Sequence, residues 1–331
     1  MSSVRLTIAE AEDMVAAALE RSGTSAVNAR SVAAALVAAE ADGLKGHGLS
    51  RVPTYAAQAR VGKVDGRAVP TAATPRPGLV AIDAAHGFAY PALALAEELL
   101  PDVTRRQGIA AAAIRRSHHC GAAGHPVERL AGAGLVSLLF ANAPAAIAPA
   151  GGARALFGTN PIAFACPVEG RPPIVIDLSL SKVARGNVLA AKQRGEPIPE
   201  GWALDAAGRP TTDPVAALAG TMVPLGDAKG TVLALMVELL AAGLTDARYA
   251  SEASSFLDAE GAPPGTGQLV IAIDPDAFGG NASARFALLA EMIEAEPGSR
   301  LPGSRRLALR AAARKDGLTV GEGLVREIKA I

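Results

Sequence analysis

The hydrophobic rhythm of this chain changes once, near residue 70, and that change limits the folds open to it. Before it, apolar residues recur at helical intervals. Ala11, Met14, Val15, Ala18 and Leu19 follow Thr7 and Glu10, whose spacing is that of a capping box. Gly23 breaks the pattern, Ser25 or Thr24 can cap a second helix through Ala41, and Gly43 stops it. A short third helix is expected around Tyr55 and Ala56 to Ala59. Beyond it, Pro70, Pro75 and Pro77 predict a loop, and short apolar runs then alternate with helical ones. Residues 79–83, 109–114, 135–140, 162–165, 174–178 and 269–273 read as strands. Residues 91–107, a helix from Pro126 at its first position to Gly132, 227–244, 283–294 and a last helix from near Ser304 complete the pattern. In 227–244, Val232, Leu235, Met236, Leu239 and Leu240 share one apolar face. The result is an α/β chain whose first 60 residues are helical.

A mixed pattern of this kind invites a dinucleotide fold, but no Gly-x-Gly-x-x-Gly follows any expected strand. The run Gly261-Ala262-Pro263-Pro264-Gly265-Thr266-Gly267 lacks the Lys-Ser/Thr pair of a phosphate loop and reads as a turn, with Gln268 opening the next strand. Thirty-two basic and 32 acidic residues cancel, which gives no reason to expect nucleic acid or an anionic membrane as partner. Aromatic residues make up only 3% of the chain, so the core must be built from Ala, Val, Leu and Ile. Two cysteines, Cys120 and Cys166, are too few for a disulfide framework and fit a reducing compartment. The start leads into an acidic amphipathic segment instead of a signal peptide, and apolar runs are broken by Pro144, Pro149 or Glu238. A soluble, cytoplasmic protein is expected.

The chemistry concentrates in Gly43-Leu44-Lys45-Gly46-His47-Gly48-Leu49-Ser50-Arg51-Val52-Pro53-Thr54-Tyr55. Glycines on both sides of His47 allow close approach to an imidazole that exchanges a proton near neutrality. Arg51 can grip a carboxylate with two parallel hydrogen bonds. The pattern suits an enzyme acting on a small carboxylic acid; it also suits a helix end followed by a polar loop. A second cluster, Arg115-Arg116-Ser117-His118-His119-Cys120-Gly121-Ala122-Ala123-Gly124-His125, lies between a strand and a helix. It can present backbone N–H groups to a phosphate, hold a metal through His118, His119, Cys120 and His125, or simply contain satisfied turn histidines. No tetrahedral ligand spacing recurs, which weighs against the metal. Lys229, in the first turn of the 227–244 helix, opposes the helix dipole unless an anion docks there or the side chain swings into solvent. Gly158-Thr159-Asn160-Pro161 and Ile176-Asp177-Leu178-Ser179-Leu180-Ser181 place polar groups at strand ends.

Taken in order, these segments, with Gly201-Trp202-Ala203, Pro210-Thr211-Thr212-Asp213-Pro214 and Lys229-Gly230, resemble the malate/L-lactate dehydrogenase family of the type that includes sulfolactate dehydrogenase, ureidoglycolate dehydrogenase and Δ1-piperideine-2-carboxylate reductase. The resemblance spans about residues 7 to 325. It implies a sulfolactate/malate dehydrogenase-like, non-Rossmann α/β fold with a largely antiparallel cofactor-domain sheet. By the resemblance, 1–69 is a helical part carrying His47, 70–290 binds the nicotinamide cofactor, and 291–331 packs back on the N-terminal part. It implies a homodimer, His47 as proton donor and acceptor, and Arg51, Tyr55 and His119 at the substrate. Cofactor contacts are expected from His119, Cys120, Gly121, Ala122, Ala123, Thr159, Asp177, Leu178, Ser179, Lys229 and Arg305, with no metal.

Two positions depart from the family pattern. Gly46 stands where many members have serine, and Asn187 where the imine reductases carry aspartate, which argues against a serine–histidine–aspartate relay. Asp177-Leu178-Ser179-Leu180-Ser181-Lys182 and Gly226-Asp227-Ala228-Lys229 look most like the sulfolactate dehydrogenase branch. The expectation is an NAD(P)-dependent oxidoreductase interconverting a small 2-hydroxy acid and its 2-oxo acid, 3-sulfolactate/sulfopyruvate or malate/oxaloacetate. The alternatives are a Δ1-pyrroline- or Δ1-piperideine-2-carboxylate reductase and a non-catalytic nucleotide-binding protein. Lys229 and Arg305 suit the extra phosphate of NADP, with NAD possible because a carboxylate such as Asp177 favours a free ribose hydroxyl. Arg116, Lys182 and Arg185 are candidates for a second anionic group on the substrate.

Overall fold

A computed structural model describes residues 2–331, with Gln193 described by its backbone alone. Strand β1 (Ser3–Leu6) leads into helices α1 (Ile8–Arg21) and α2 (Ala26–Ala41). The capping box at Thr7 is complete: its side chain accepts from the Glu10 amide, and the Glu10 carboxylate accepts from the Thr7 amide at 2.8 Å. Ser25 caps α2. Two single turns, Lys45–His47 and Leu49–Arg51, then enter α3 (Val52–Arg60). Next come β2 (Thr71–Arg76), β3 (Leu79–Asp83), α4 (Ala89–Gln107), β4 (Ile109–Ser117), α5 (Gly124–Gly132), β5 (Val136–Ala141), β6 (Ile162–Val168) and β7 (Arg171–Leu178). A small excursion follows, of α6 (Arg185–Arg194), β8 (Ala203–Leu204), β9 (Pro210–Thr211), α7 (Pro214–Ala219) and β10 (Thr221–Met222). Helix α8 (Ala228–Glu238) widens into a π turn over Leu239–Gly243 before β11 (Thr266–Ile273), α9 (Ala282–Ala295), α10 (Ser304–Asp316), β12 (Leu318–Gly321) and α11 (Glu322–Ala330).

Seven strands form the central sheet in the order β2-β3-β4-β11-β5-β6-β7. Only β3 and β4 run parallel, joined by α4 as a crossover; every other pair is antiparallel. The fold is therefore the largely antiparallel, non-Rossmann α/β type. Helices α4 and α5 cover one face through a core of small aliphatic residues that includes Val80, Leu93, Ile114, Val127 and Leu139. On the other face, Ala234, Val237 and Ala241 of α8 and its π turn pack on Phe140 and Leu269. A separate core joins α1, α2 and α3 to Ala313, Leu318, Val320, Val325 and Ile328 from the C-terminal end.

The structure departs from the sequence expectations in several places. Residues 71–76 are an edge strand instead of a loop, and the register shifts between Ala73 and Arg76, around Pro75, whose nitrogen has no hydrogen to donate. Strand β11 begins at Thr266, two residues before Gln268, and Pro126 is the third residue of α5 instead of the first. The chain ends pair with each other, Ser3 opposite Gly321 through Leu6 opposite Leu318, in four-residue strands too short to show a period. On α8 the expected apolar face is turned outward: Val232, Leu235, Met236 and Leu239 are exposed. The buried side carries Gly230, Thr231, Ala234, Val237 and Glu238, because Glu238 has amide partners only there.

An ionic cluster clamps the C-terminal part to the end of α2. Asp42, fully buried, accepts two hydrogen bonds from Arg310 at 2.7 Å each and pairs with His125 Nε2 at 2.8 Å. Arg310 also reaches both oxygens of Glu128 at 2.9 and 2.8 Å. Burial pushes the Asp42 carboxyl up, but the bonds from Arg310 and His125 outweigh it and hold it at about 2. A carboxyl lowered by folding stabilises above its unfolded value and loses that contribution as pH falls toward the folded one. Asp42→Asn should therefore lower unfolding free energy by roughly 2–4 kcal/mol near neutrality. Urea titrations of parent and variant should converge as pH drops from 3.8 toward about 2. Equal stability of the two near neutrality would contradict this role.

Candidate active site

The His47 loop is held by a carboxylate beneath it. Glu40, in the last turn of α2, accepts from the Leu49 amide at 3.0 Å and from Lys45 Nζ at 2.5 Å. A Cβ on Gly48 would collide with that carboxylate, so glycine is required there by packing. Arg51 closes the loop from the other side, its Nε donating to the Gly46 carbonyl at 2.6 Å. Among the described residues the terminal nitrogens of Arg51 have no partner, which leaves them available to a carboxylate. Gly46 has open space where a Cβ would stand, so the missing serine is not a packing requirement.

The second cluster comes to the same place from the end of β4. The rings of His47 and His119 stack with centroids 5.2 Å apart and an interplanar angle of 25°. Tyr55, fully buried on α3, hydrogen-bonds His119 Nδ1 at 2.6 Å and Tyr90 of α4 at 3.3 Å. Burial pushes the Tyr55 phenol up to about 12, so it stays protonated. When Tyr55 donates to Nδ1, His119 keeps its own proton on Nε2 and becomes a fixed donor. Burial, and then the Arg51 charge, lower His47 to about 4 and His119 well below the ordinary imidazole range. The buried Nδ1 of His47 has no protein partner, leaving Nε2 as its accessible nitrogen. His118 is fully enclosed by Tyr55, Phe88 and Phe256, and burial lowers it to about 3.

The cofactor candidates gather around the end of β7. The Asp177 carboxylate accepts from the Gly124 amide at 2.7 Å, at the start of α5. The helix end expected to receive a phosphate is therefore partly occupied by a carboxylate. This arrangement suits a ribose hydroxyl at the second Asp177 oxygen better than a phosphate at that amide. A Cβ at Gly121 would lie 2.6 Å from the Tyr90 hydroxyl, and one at Gly124 would lie 3.1 Å from Asp177, so glycine at both positions lets the loop from His119 through Cys120, Gly121, Ala122 and Ala123 pack closely against α4 and the end of β7. Cys120 is buried in that loop, and burial lifts its thiol to about 12. The Thr159 carbonyl accepts from the Leu180 amide at 2.8 Å and from Ser179 Oγ at 3.4 Å, which brings Thr159 beside Leu178 and Ser179. The turn before α8 is tied to the same strand end through the Leu225 amide and the Leu180 carbonyl at 2.8 Å. Lys229 and Arg305 are exposed on α8 and α10. The glycine- and alanine-rich loop beside Asp177, with one Asp177 oxygen bonded to the Gly124 amide, is an arrangement that a dinucleotide's ribose would fit. Among the described residues, no group of three or more His, Cys, Asp or Glu is arranged to hold a metal ion.

Sequence reasoning missed four supporting residues. Glu238 bonds the Gly158 amide, Asn160 and the Ala250 amide at 3.3, 2.8 and 3.0 Å, and so fixes the Thr159 turn. Its signal was a charge inside an apolar run. Glu40 and Asp42 stood at a helix C-terminus, where acids oppose the dipole. Phe256 carried no local signal. Of the proposed second cations, Arg116 forms a bidentate pair with Asp83 at 2.8 Å, Arg185 donates to the Leu218 carbonyl at 3.2 Å, and Lys182 is exposed.

Comparison with known proteins identifies the family. The sequence profile of the malate/L-lactate dehydrogenase family matches residues 6–329. The chain is 54% identical over 328 residues to (2R)-3-sulfolactate dehydrogenase (NADP(+)) of Chromohalobacter salexigens, covering 98% of this chain and 97% of that protein. It is 41% identical to the Δ1-pyrroline-2-carboxylate/Δ1-piperideine-2-carboxylate reductase of Pseudomonas putida, covering 99% and 97%. Among solved structures, Δ1-piperideine-2-carboxylate reductase from Pseudomonas syringae pvar. tomato superposes with a TM-score of 0.94 at 38% identity, covering 99% of each chain. Sulfolactate dehydrogenase from Methanocaldococcus jannaschii gives 0.88 at 28%, covering 99% of this chain and 96% of that one. A stacked histidine pair beside an arginine with open terminal nitrogens, on a mostly antiparallel sheet without a glycine fingerprint, thus sits in a chain that belongs to the malate/L-lactate dehydrogenase family.

Proposed function

We propose that this protein is an NADP-dependent dehydrogenase that interconverts 3-sulfolactate and sulfopyruvate, with malate and oxaloacetate as the next substrates. The observation that carries the reading is the His47–His119 stack beside the open terminal nitrogens of Arg51. Arg51 holds the substrate carboxylate and thereby the orientation of C2. His119, steadied by Tyr55, donates to the oxygen on C2. His47, kept neutral by burial and by Arg51, takes the hydroxyl proton on oxidation and returns it on reduction. The nicotinamide, when bound, supplies or accepts the hydrogen and electron pair exchanged at C2. It would lie along the loop of residues 119–123, with Thr159 and Asp177 to Ser179 beside it.

Lys229 and Arg305, exposed cations on α8 and α10, are our candidates for the extra phosphate of NADP, and the 54% identical relative is named for NADP. Lys182 and Arg185 remain for a second anionic group, since Arg116 is engaged by Asp83. Imine reduction is the competing activity; Gly46 and Asn187, in place of the serine and aspartate of a relay, weigh against it. We divide the chain into a helical part (1–69), a cofactor part (70–290) and a returning part (291–331), supported by the core that α1 to α3 share with the C-terminal end. A cytoplasmic location fits two free, buried cysteines. Among the described residues, no helix is long and apolar enough to cross a membrane. A homodimer accounts for the exposed apolar side of α8.

Turnover of NADPH with sulfopyruvate or oxaloacetate should exceed that with pyruvate, 2-oxobutyrate or Δ1-piperideine-2-carboxylate by roughly ten- to a hundredfold in kcat/KM, the size of one desolvated charged contact. A cyclic imine or monoanion used best would reject the sulfolactate assignment. Light scattering on a sizing column should give twice the 33.3 kDa chain mass, and Leu235→Glu with Met236→Glu should shift it to the monomer. A parent that elutes as a monomer would remove the dimer from the account.

A further inference from the structure

The segment 251–265 contains only turns and bends, yet it forms one wall of the histidine site. Phe256, 8% exposed, sits with its ring centroid 5.2 Å from both His118 and His119. Two residues on, Asp258 meets a lysine that has been taken out of water. The Lys63 side chain is wholly buried, and its Nζ donates to Asp258 Oδ1 at 2.9 Å and to the Asp258 carbonyl at 3.1 Å. Gln58 Nε2 donates to the same carbonyl at 2.7 Å. Asp258 itself keeps about half of its side chain in solvent, 47% exposed. The asymmetry matters. A buried ammonium without a partner is heavily penalised, whereas an exposed aspartate loses little when it leaves. Lys63 therefore holds the segment down far more firmly than a surface ion pair would.

We infer that Phe256 is a positioning and specificity-determining residue, and that the Lys63–Asp258 pair is the latch that keeps it against His119. The proposal rests on the reading of His119 as a substrate contact. Tyr55 bonds one edge of the His119 ring and His47 stacks on it, while Phe256 packs against it from the strap. With Phe256 withdrawn, the ring keeps one hydrogen bond and one stacking partner but loses the wall that fixes its tilt. The same ring surface bounds the space beside His119, so its size limits the substrate side chain that fits. Leu257 is exposed, so Phe256 and Asp258 anchor the middle of the strap inward, while Arg248 holds its far end through the Pro263 carbonyl at 2.6 Å and the Gly265 carbonyl at 3.0 Å.

The test uses the whole 331-residue chain. Phe256→Leu should raise KM for sulfopyruvate and lower kcat, reducing kcat/KM by about tenfold or more, as expected for misplacement near the reacting centre. NADPH affinity, read by fluorescence, should stay within about twofold, and Phe256→Tyr should restore kcat/KM to within about threefold. Phe256→Leu with unaltered kcat and KM would overturn the proposal. The latch is read without substrate, by amide hydrogen exchange over 251–262. Asp258→Asn, and Lys63→Met as the variant that leaves no unpaired buried charge, should each speed exchange there by about tenfold. Unchanged exchange in Lys63→Met would overturn the latch. If the parent ignores every 2-oxo acid, the functional reading fails, while the exchange result still decides the latch.

Discussion

Acidic side chains at the C-terminal end of a helix face the negative end of its dipole, and α2 carries two of them within three residues. That local penalty is offset by tertiary partners, and those partners build the active site. Glu40 takes the Leu49 amide and Lys45, which folds the loop into two tight turns and presents His47 to His119. Asp42 takes Arg310 and His125, which binds the returning C-terminal helix and the start of α5 to the same point. One helix end thus supports both the His47 loop and the returning C-terminal part, and the His47 and His119 rings stack above it.

A division of labour follows. The N-terminal part contributes His47 and Arg51, and the sheet contributes His119 and the loop that follows it. His47 lies 72 positions before His119 in sequence, yet the rings stack. Burial is what makes the pair useful. In water an imidazole is part protonated near neutrality; here desolvation and the Arg51 charge favour the neutral ring. An incoming anion at Arg51 offsets that charge as the proton moves, so binding and proton transfer are coupled through one guanidinium.

Much of this was legible in the sequence because local chemistry wrote it. The Thr7–Glu10 box, the stop at Gly43 and the strand at 79–83 depend on near neighbours and stand where they were read. The motif around His47 was visible because Gly46, Gly48 and Arg51 are adjacent in sequence. What stayed hidden depends on distant partners. The outward apolar face of α8 follows from Glu238 needing the amides of Gly158 and Ala250. The edge strand at 71–76 forms because β3 lies beside it, although Pro75 argues locally for a loop. Phe256 reaches the site from a segment with no regular structure, and no period could announce it. Asp177 was identified correctly as a strand-end acid, but its hold on the Gly124 amide required the fold.

The account turns on His47 being a neutral base held far below the ordinary imidazole value. The most direct measurement is the pH dependence of kcat/KM for sulfolactate oxidation with saturating NADP, which reports the base before substrate binds. A base must be unprotonated to act, so a lowered value extends activity toward acid. The account predicts a profile that stays level through 6.5 and falls only toward about 4. A fall centred near 6.5 would contradict it, because His47 would then be an ordinary solvated imidazole and the buried stack would not describe the working site.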